Sequence, residues 1–235
     1  MALISPSTIQ NRLLRALPRK ALKELSPALQ PVPLPVKQVL HRSSDHLDFA
    51  YFPEAGMVSI VLPLEDGDTI EVGTVGSEGV LPIACVLGGT VASSEAMVQL
   101  EGSAFRIRAD ILRQRLDANE ALRRHFGHYA HSFHQQVSQT AACNGAHSLE
   151  QRFARWLLLA RHRIGSDELP LTQEFLSMML AVRRAGVTEA AGGLQQAGLI
   201  RYRHGHITVL DPAGLEQVSC ECFRRIAAQE AQLQA

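Results

Sequence analysis

The apolar positions of this chain change period along its length, and each change marks an element. Ile9, Leu13, Leu14, Leu17, Leu22 and Leu25 recur at mixed three- and four-residue steps, predicting helix over residues 7–29 with a break at Pro18. Three prolines in Pro31-Val32-Pro33-Leu34-Pro35 then remove donors and hold the chain extended. From Val36 to about Ile107 the pattern becomes short strands: Ala50–Pro53, Met57–Leu62, Thr69–Gly73 and Ala96–Leu100 are the clearest. Glu54-Ala55-Gly56 and Glu65-Asp66-Gly67-Asp68 read as turns between them. Strands at intervals of roughly 8–12 residues suggest a sandwich or barrel.

A long helix is expected from about Ala118 to Cys143. Leu122, Phe126, Tyr129 and Phe133 alternate steps of four and three, a coiled-coil seam that predicts a dimer helix. Asn144-Gly145 should end it. Ser148 and Gln151 sit in the reciprocal positions of a capping box and restart a helix. Three units follow: residues 1–117 as a strand-rich sensor with N-terminal helices, 118–145 as dimer helix and hinge, and 146–235 as a third domain.

That third domain holds the most specific pattern, Leu171 to Val209. Leu169-Pro170-Leu171 leads in extended, and Thr172 can cap a helix whose Phe175, Leu176, Met179 and Leu180 face a core. Ala181-Val182 makes a tight turn. A second helix spans Arg183 to Gln196, with Val187, Ala190, Ala191 and Leu194 as its buried stripe and Gly198 as a left-handed cap. Leu199–Arg203 and Ile207–Val209 alternate as two strands around His204-Gly205-His206. Helix, turn, helix and basic hairpin form the layout of a winged helix-turn-helix, which puts its second helix into the DNA major groove. Arg183, Arg184, Thr188 and Glu189 fall on the exposed start of that helix. Arg can pair with guanine, Glu can accept from cytosine, and Thr can touch a thymine methyl or a phosphate. Thr172, Arg201 and Arg203 complete the expected DNA-facing set.

Net charge is zero, but the average hides an asymmetry. Residues 45–110 hold 11 acidic and 2 basic residues; residues 150–203 hold 5 acidic and 8 basic. A basic reader gains affinity by neutralising phosphates, and an acidic sensor is repelled by them. Hydrophobic content of 46% argues against disorder. Neither an apolar leader nor a membrane-length apolar run is present, so a cytoplasmic protein is expected. The four cysteines do not suggest a disulfide framework in that compartment. Cys220-Glu221-Cys222 is closer than the usual two-residue spacing of metal ligands, and reads as two thiols beside a C-terminal helix.

The order of N-terminal helices, β-roll, long helix and winged helix-turn-helix resembles the Crp/Fnr superfamily, the relatives of the cyclic AMP receptor protein. The resemblance spans nearly the whole chain. It is strongest over TQEFLSMMLAVRRAGVTEAAGGL and AGLIRYRHGHITVLD. It implies an α+β fold, a homodimer and sequence-specific binding to an inverted repeat in double-stranded DNA, with RNA polymerase as a further partner of an activator. Arg184 matches the family's leading base-contacting arginine, while Ala185 stands where glutamate is common and Glu189 where a second arginine is found. Base preference should therefore differ.

The family's cyclic-nucleotide cassette is degenerate here. Gly76-Ser77-Glu78-Gly79-Val80-Leu81 keeps its first part, so Glu78 could take the ribose-binding role. In the second part the expected arginine is missing: Ser94 takes its place and Glu95 follows. A cyclic phosphate needs a cation or strong donors, so Glu78, Gly79, Ser94 and Glu95 make a candidate pocket with weak or no affinity for cyclic AMP. No cofactor is assigned and the effector is left open. His125, His128, His131 and His134 are spaced to place neighbours on adjoining helical turns, weak metal candidates that read first as a solvated stripe. No nucleotide-binding or hydrolytic motif is present, and Glu65, Asp66 and Asp68 read as a hairpin tip, so no enzyme is expected. The alternatives are a constitutive binder, a metal- or thiol-responsive sensor using the histidines or Cys220 and Cys222, and a protein-interaction module on the same fold.

Overall fold

A computed structural model describes residues 9–65, 67 and 69–232; Asp66 and Asp68 of the expected acidic turn lie outside the described residues. The N-terminal segment forms α1 (Arg12–Arg15) and α2 (Arg19–Leu25), separated at Pro18 as the sequence predicts. A short 3-10 turn leads into β1 (Gln30–Leu34), whose prolines are tolerated because this is an edge strand. Then come β2 (Val39–His41), β3 (Phe49–Pro63), β4 (Thr69–Val75) and β5 (Glu95–Arg108). The sheet order is β1-β5-β3-β4, with β2 also paired to β5, and every pairing is antiparallel.

Glu54-Ala55-Gly56 is not a turn. It lies inside β3, one 15-residue strand, where the register with β5 slips between Pro53 and Val58. Gly56 has φ +82, and a side chain there or at Gly102 would collide with the carbonyls of the facing strand. Glycine thus lets two long strands bend together through bulges instead of breaking.

A separate helix that the sequence pattern does not assign, α3 (Ala109–Ala118), comes first. The expected long helix is α4 (Glu120–Ala146), which the Asn119 side chain caps by accepting from Leu122 N–H. α4 continues through Asn144 and Gly145 and ends at His147. α5 (Leu149–Ile164) starts at the Ser148–Gln151 capping box, which is fully formed. The third unit continues with β6 (Glu168–Pro170), α6 (Gln173–Leu180), α7 (Arg184–Gln196), β7 (Ile200–Arg203), β8 (His206–Val209), α8 (Pro212–Val218) and α9 (Cys222–Gln232). Its three strands pair in the order β6-β8-β7.

The seam reading of α4 is corrected by burial. Leu122, Phe126 and Tyr129 are buried in this chain's own core, against Phe52, Leu112 and the N-terminal helices, and Phe133 packs beside them. Phe126 meets Phe52 edge-to-face with centroids 5.9 Å apart. The heptad spacing is real, but the β-roll of the same chain is the surface it seals. The face left exposed carries Arg124, Gly127, His128, His131, His134, Ser138, Ala141, Ala142 and Gly145. Among the described residues no helix is long and apolar enough to cross a membrane.

Candidate nucleic-acid interface and sensor cavity

Side-chain chemistry sets the geometry of the α6–α7 unit locally. Thr172 caps α6 by accepting from Phe175 N–H at 3.3 Å. Ala181 turns the chain with a left-handed φ of +50, and Arg152 of α5 donates to the Leu180 carbonyl that α6 leaves free. Arg183 is the N-cap of α7 and Arg184 its first residue; both are exposed, with no carboxylate partner among the described residues. Glu189 is exposed one turn on. Thr188 is held in place: its hydroxyl donates to Arg184 O at 3.0 Å and accepts from Gln173 Nε2 at 3.3 Å. The bond to Gln173 links α6 and α7 at the exposed end.

Burial supports the platform beneath. Val187, Ala190, Ala191 and Leu194 of α7 meet Phe175, Leu176, Met179 and Leu180 of α6 and Phe153, Leu157 and Ala160 of α5. At the hairpin, His204 (φ +49) and Gly205 (φ +78) make the turn, and Arg201 and Arg203 are exposed on β7. Gly205 lies beside Thr172, so the wing tip and the start of α6 border one open hollow with Gln173, Tyr202 and His204. The expected DNA-facing residues therefore lie at the start of α6, the start of α7 and the wing.

The β-roll departs from expectation. Between the roll and α4 lies a cavity of about 210 Å³ lined by Ile60, Val72, Leu81, Phe133, His41 and Ser94, among others. Ser94 lines it, but Glu78, Gly79 and Glu95 do not. Glu78 is buried elsewhere: Oε1 accepts from Gly76 N–H at 2.9 Å and sits 3.3 Å from Arg163 Nε. Gly79 is pressed against the Tyr129 ring, leaving no room for a side chain. Among the described residues no lysine or arginine lines the cavity, and burial holds the His41 imidazole below its ordinary pKa, toward the neutral form.

Sequence reading missed the groups that join the β-roll to the helix-turn-helix domain. Arg163, at the end of α5, is fully buried. It donates to Glu230 of α9 at 2.6 Å and to the Thr74 carbonyl of β4 at 3.0 Å, and faces Glu78. Burial pushes the Glu78 carboxyl up, and Arg163 opposes that shift. Two helix turns earlier on α5, Trp156 Nε1 donates to Oε1 of Glu71, on the same strand as Thr74, at 2.8 Å, and Ser59 donates to the other oxygen at 2.6 Å. Burial pushes Glu71 up to about 7 against those bonds. A basic residue near a helix end and a lone Trp give no sequence signal for this role.

Among the described residues the histidine stripe is not gathered with further ligands: His125 is half-buried on the Leu13 carbonyl at 2.9 Å, and His128, His131 and His134 face outward. Cys220 and Cys222 are not incidental thiols beside a helix. They converge with Cys143 and His147 from the end of α4, a grouping that the 77-residue gap hides in the sequence.

Comparison with known proteins agrees with this architecture. Residues 151–218 match the Crp-like helix-turn-helix domain. No curated protein matches the chain by sequence. Among solved structures, the chain is similar to FixK2 from Bradyrhizobium japonicum at TM-score 0.70 and 14% identity, over 82% of this chain and 98% of that one. It is similar to the c-di-GMP responsive global regulator CLP of Xanthomonas campestris at TM-score 0.65 and 14% identity, over 82% and 99%. A CRP-family transcriptional regulator from Thermus thermophilus gives TM-score 0.63 and 20% identity, over 80% and 96%. Residues 151–218 thus form a Crp-like helix-turn-helix domain, set in a chain that shares the α+β fold of these solved structures.

Proposed function

We propose that the protein is a cytoplasmic, homodimeric regulator that reads an inverted repeat in double-stranded DNA and does not respond to cyclic AMP. The observation that carries this is the start of α7: two exposed arginines without carboxylate partners among the described residues, on a helix end fixed by Thr188 and backed by a filled core. Arg183 and Arg184 read guanine edges, Glu189 accepts from cytosine, and Thr172, Arg201 and Arg203 hold phosphates. The exposed face of α4 is the surface for the second copy. Gly127, Ser138, Ala141 and Gly145 leave room for two helices to approach, and the two-fold matches a palindromic site. RNA polymerase joins only if the protein activates. An uncharged, largely apolar cavity supports a sensor that rejects a cyclic phosphate and accepts, if anything, a small neutral molecule.

The test is competition binding with wild type and Arg184→Ala on a duplex selected from a random pool and on a scrambled duplex. The variant should lose about 1–3 kcal/mol on the selected duplex and less on the scrambled one. Equal losses on both would make Arg184 a phosphate contact and remove the base-reading role.

A further inference from the structure

Three cysteines and one histidine meet at the junction of α4 with the C-terminal helices. Cys143 lies in the last turn of α4, and His147, four residues on, is its C-cap, so both project from one side of the helix end. Cys220 lies in the loop after α8, and Cys222 opens α9. The four ligand atoms all lie within 4.8 Å of one another. Cys143 Sγ is 3.5 Å from Cys220 Sγ, and Cys222 Sγ is 3.6 Å from His147 Nδ1. We propose that Cys143, His147, Cys220 and Cys222 bind a single tetrahedral metal ion of the zinc class, fastening the hinge between the long helix and the DNA-reading domain.

The distances carry the assignment. Zinc binds thiolate at about 2.3 Å and imidazole at about 2.0–2.1 Å, so a regular tetrahedron needs edges of about 3.8 Å between sulfurs and about 3.6 Å from sulfur to nitrogen. The Cys143–Cys220 and Cys222–His147 pairs lie within a few tenths of an ångström of those edges, and the other four pairs stay within 4.8 Å, so side-chain adjustments of about an ångström close the tetrahedron. A polynuclear iron–sulfur cluster needs several metal and sulfide atoms between its cysteines, more than a 4.8 Å spread admits. Three thiolates and an imidazole, with no open position, make a closed structural site selective for a soft or borderline ion.

The surroundings are those of a ligand shell. The other ring nitrogen of His147, Nε2, lies 3.3 Å from the Glu221 carboxylate, which orients Nδ1 toward the sulfurs. Gln139 Nε2 donates to Cys222 Sγ at 3.0 Å from one turn back along α4. Cys143, Cys220 and Cys222 are all buried, in a cluster apart from the apolar cores. Arg155 of α5 donates to Thr140 Oγ1 at 3.3 Å, one turn before Cys143 on α4, so a cation stands near the net negative charge of three thiolates around a divalent ion. Binding releases the remaining thiol protons to solvent and involves no change in oxidation state.

The site's position gives it a regulatory consequence, which rests on the DNA-reading function proposed above. α9 also carries Glu230, the buried partner of Arg163. An ion would tie α4, the hinge residue His147 and α9 into one unit, so the reader's angle to α4 depends on occupancy.

The experiment is metal analysis of the full chain purified under reducing conditions and offered zinc, followed by gel filtration. One ion per chain is expected, with loss of the ion in Cys220→Ser and Cys143→Ser and retention in His131→Ala. Cobalt(II) in the wild-type chain, which needs no variant to fold, should give the intense visible bands of a tetrahedral thiolate site. No retained ion, or cobalt spectra without thiolate charge transfer, overturns the proposal. So does a Cys143–Cys220 disulfide that forms in preference to metal binding, or bound iron with sulfide. DNA affinity is measured separately, with and without the ion. A bound ion with unchanged DNA affinity keeps the site and overturns its regulatory role; an empty site with intact DNA binding leaves the DNA-reading function standing.

Discussion

Replacing Glu71 with Gln should change how stability depends on pH, in a direction set by burial. Glu71 is 4% exposed and accepts from Ser59 of the neighbouring strand and from Trp156 of α5. Its carboxyl titrates at about 7 in the folded chain, against an ordinary 4.5. A carboxyl raised on folding contributes its full stability below pH 4.5 and loses it as pH rises through about 7. Integrating that linkage from pH 5 to pH 8 gives a loss of about 2.5 kcal/mol in the wild type. The amide introduced by Glu71→Gln would keep an acceptor for Trp156 and has no charge to desolvate, so the variant should not suffer that loss. Urea unfolding of both proteins at pH 5, 6, 7 and 8 reads the difference directly. The variant should gain on the wild type by about 2–3 kcal/mol across that range. Parallel stability profiles would mean that Glu71 stays ionised beside Arg155 and Arg163, and would refute the burial argument.

Arg163→Met should destabilise the chain by about 3–5 kcal/mol in urea unfolding, because it removes the fully buried cation that Glu78 and Glu230 share and leaves them only the partly exposed Arg12, 3.8 and 3.4 Å away; a loss under about 1 kcal/mol would show that Arg12 and water replace the guanidinium. Phe126→Ala should cost about 3–5 kcal/mol of stability while leaving subunit association intact, since Phe126 belongs to the intrachain core. Ala141→Glu should shift sedimentation toward monomer with little loss of stability; the opposite pattern would restore Phe126 to a subunit seam. Calorimetric titration with cyclic AMP should give no heat in the low-micromolar range, and clear saturation there would contradict the reading of the cavity.

Much of the reader was legible because its signals are local. A capping Thr172, a small turn residue, a four-position apolar stripe in α7 and a left-handed Gly198 each act within a few residues of one another. The β-roll was legible as a class, but its strand lengths were not. Whether Glu54-Ala55-Gly56 turns or bulges depends on β5, more than 40 residues away, whose carbonyls Gly56 and Gly102 allow to approach. The α4 heptad illustrates a deeper limit. Period shows that a stripe is buried, and Leu122, Phe126 and Tyr129 are; it does not show against what. Glu78 illustrates another. Its motif suggested a ligand contact, but a buried carboxylate takes the nearest cation, here Arg163 from a helix some 85 residues on. The cysteines failed for the same reason, since spacing rules address ligands on one loop and these come from two helix ends.

The central claim is that the protein is a dimeric sequence reader. Selection of duplex DNA from a random pool by the purified full-length chain tests it most directly. Enrichment of an inverted repeat is predicted, with half-sites about one helical turn apart and G·C pairs where Arg183 and Arg184 enter the groove. Failure to enrich any sequence, in both zinc-loaded and metal-free protein, would contradict it.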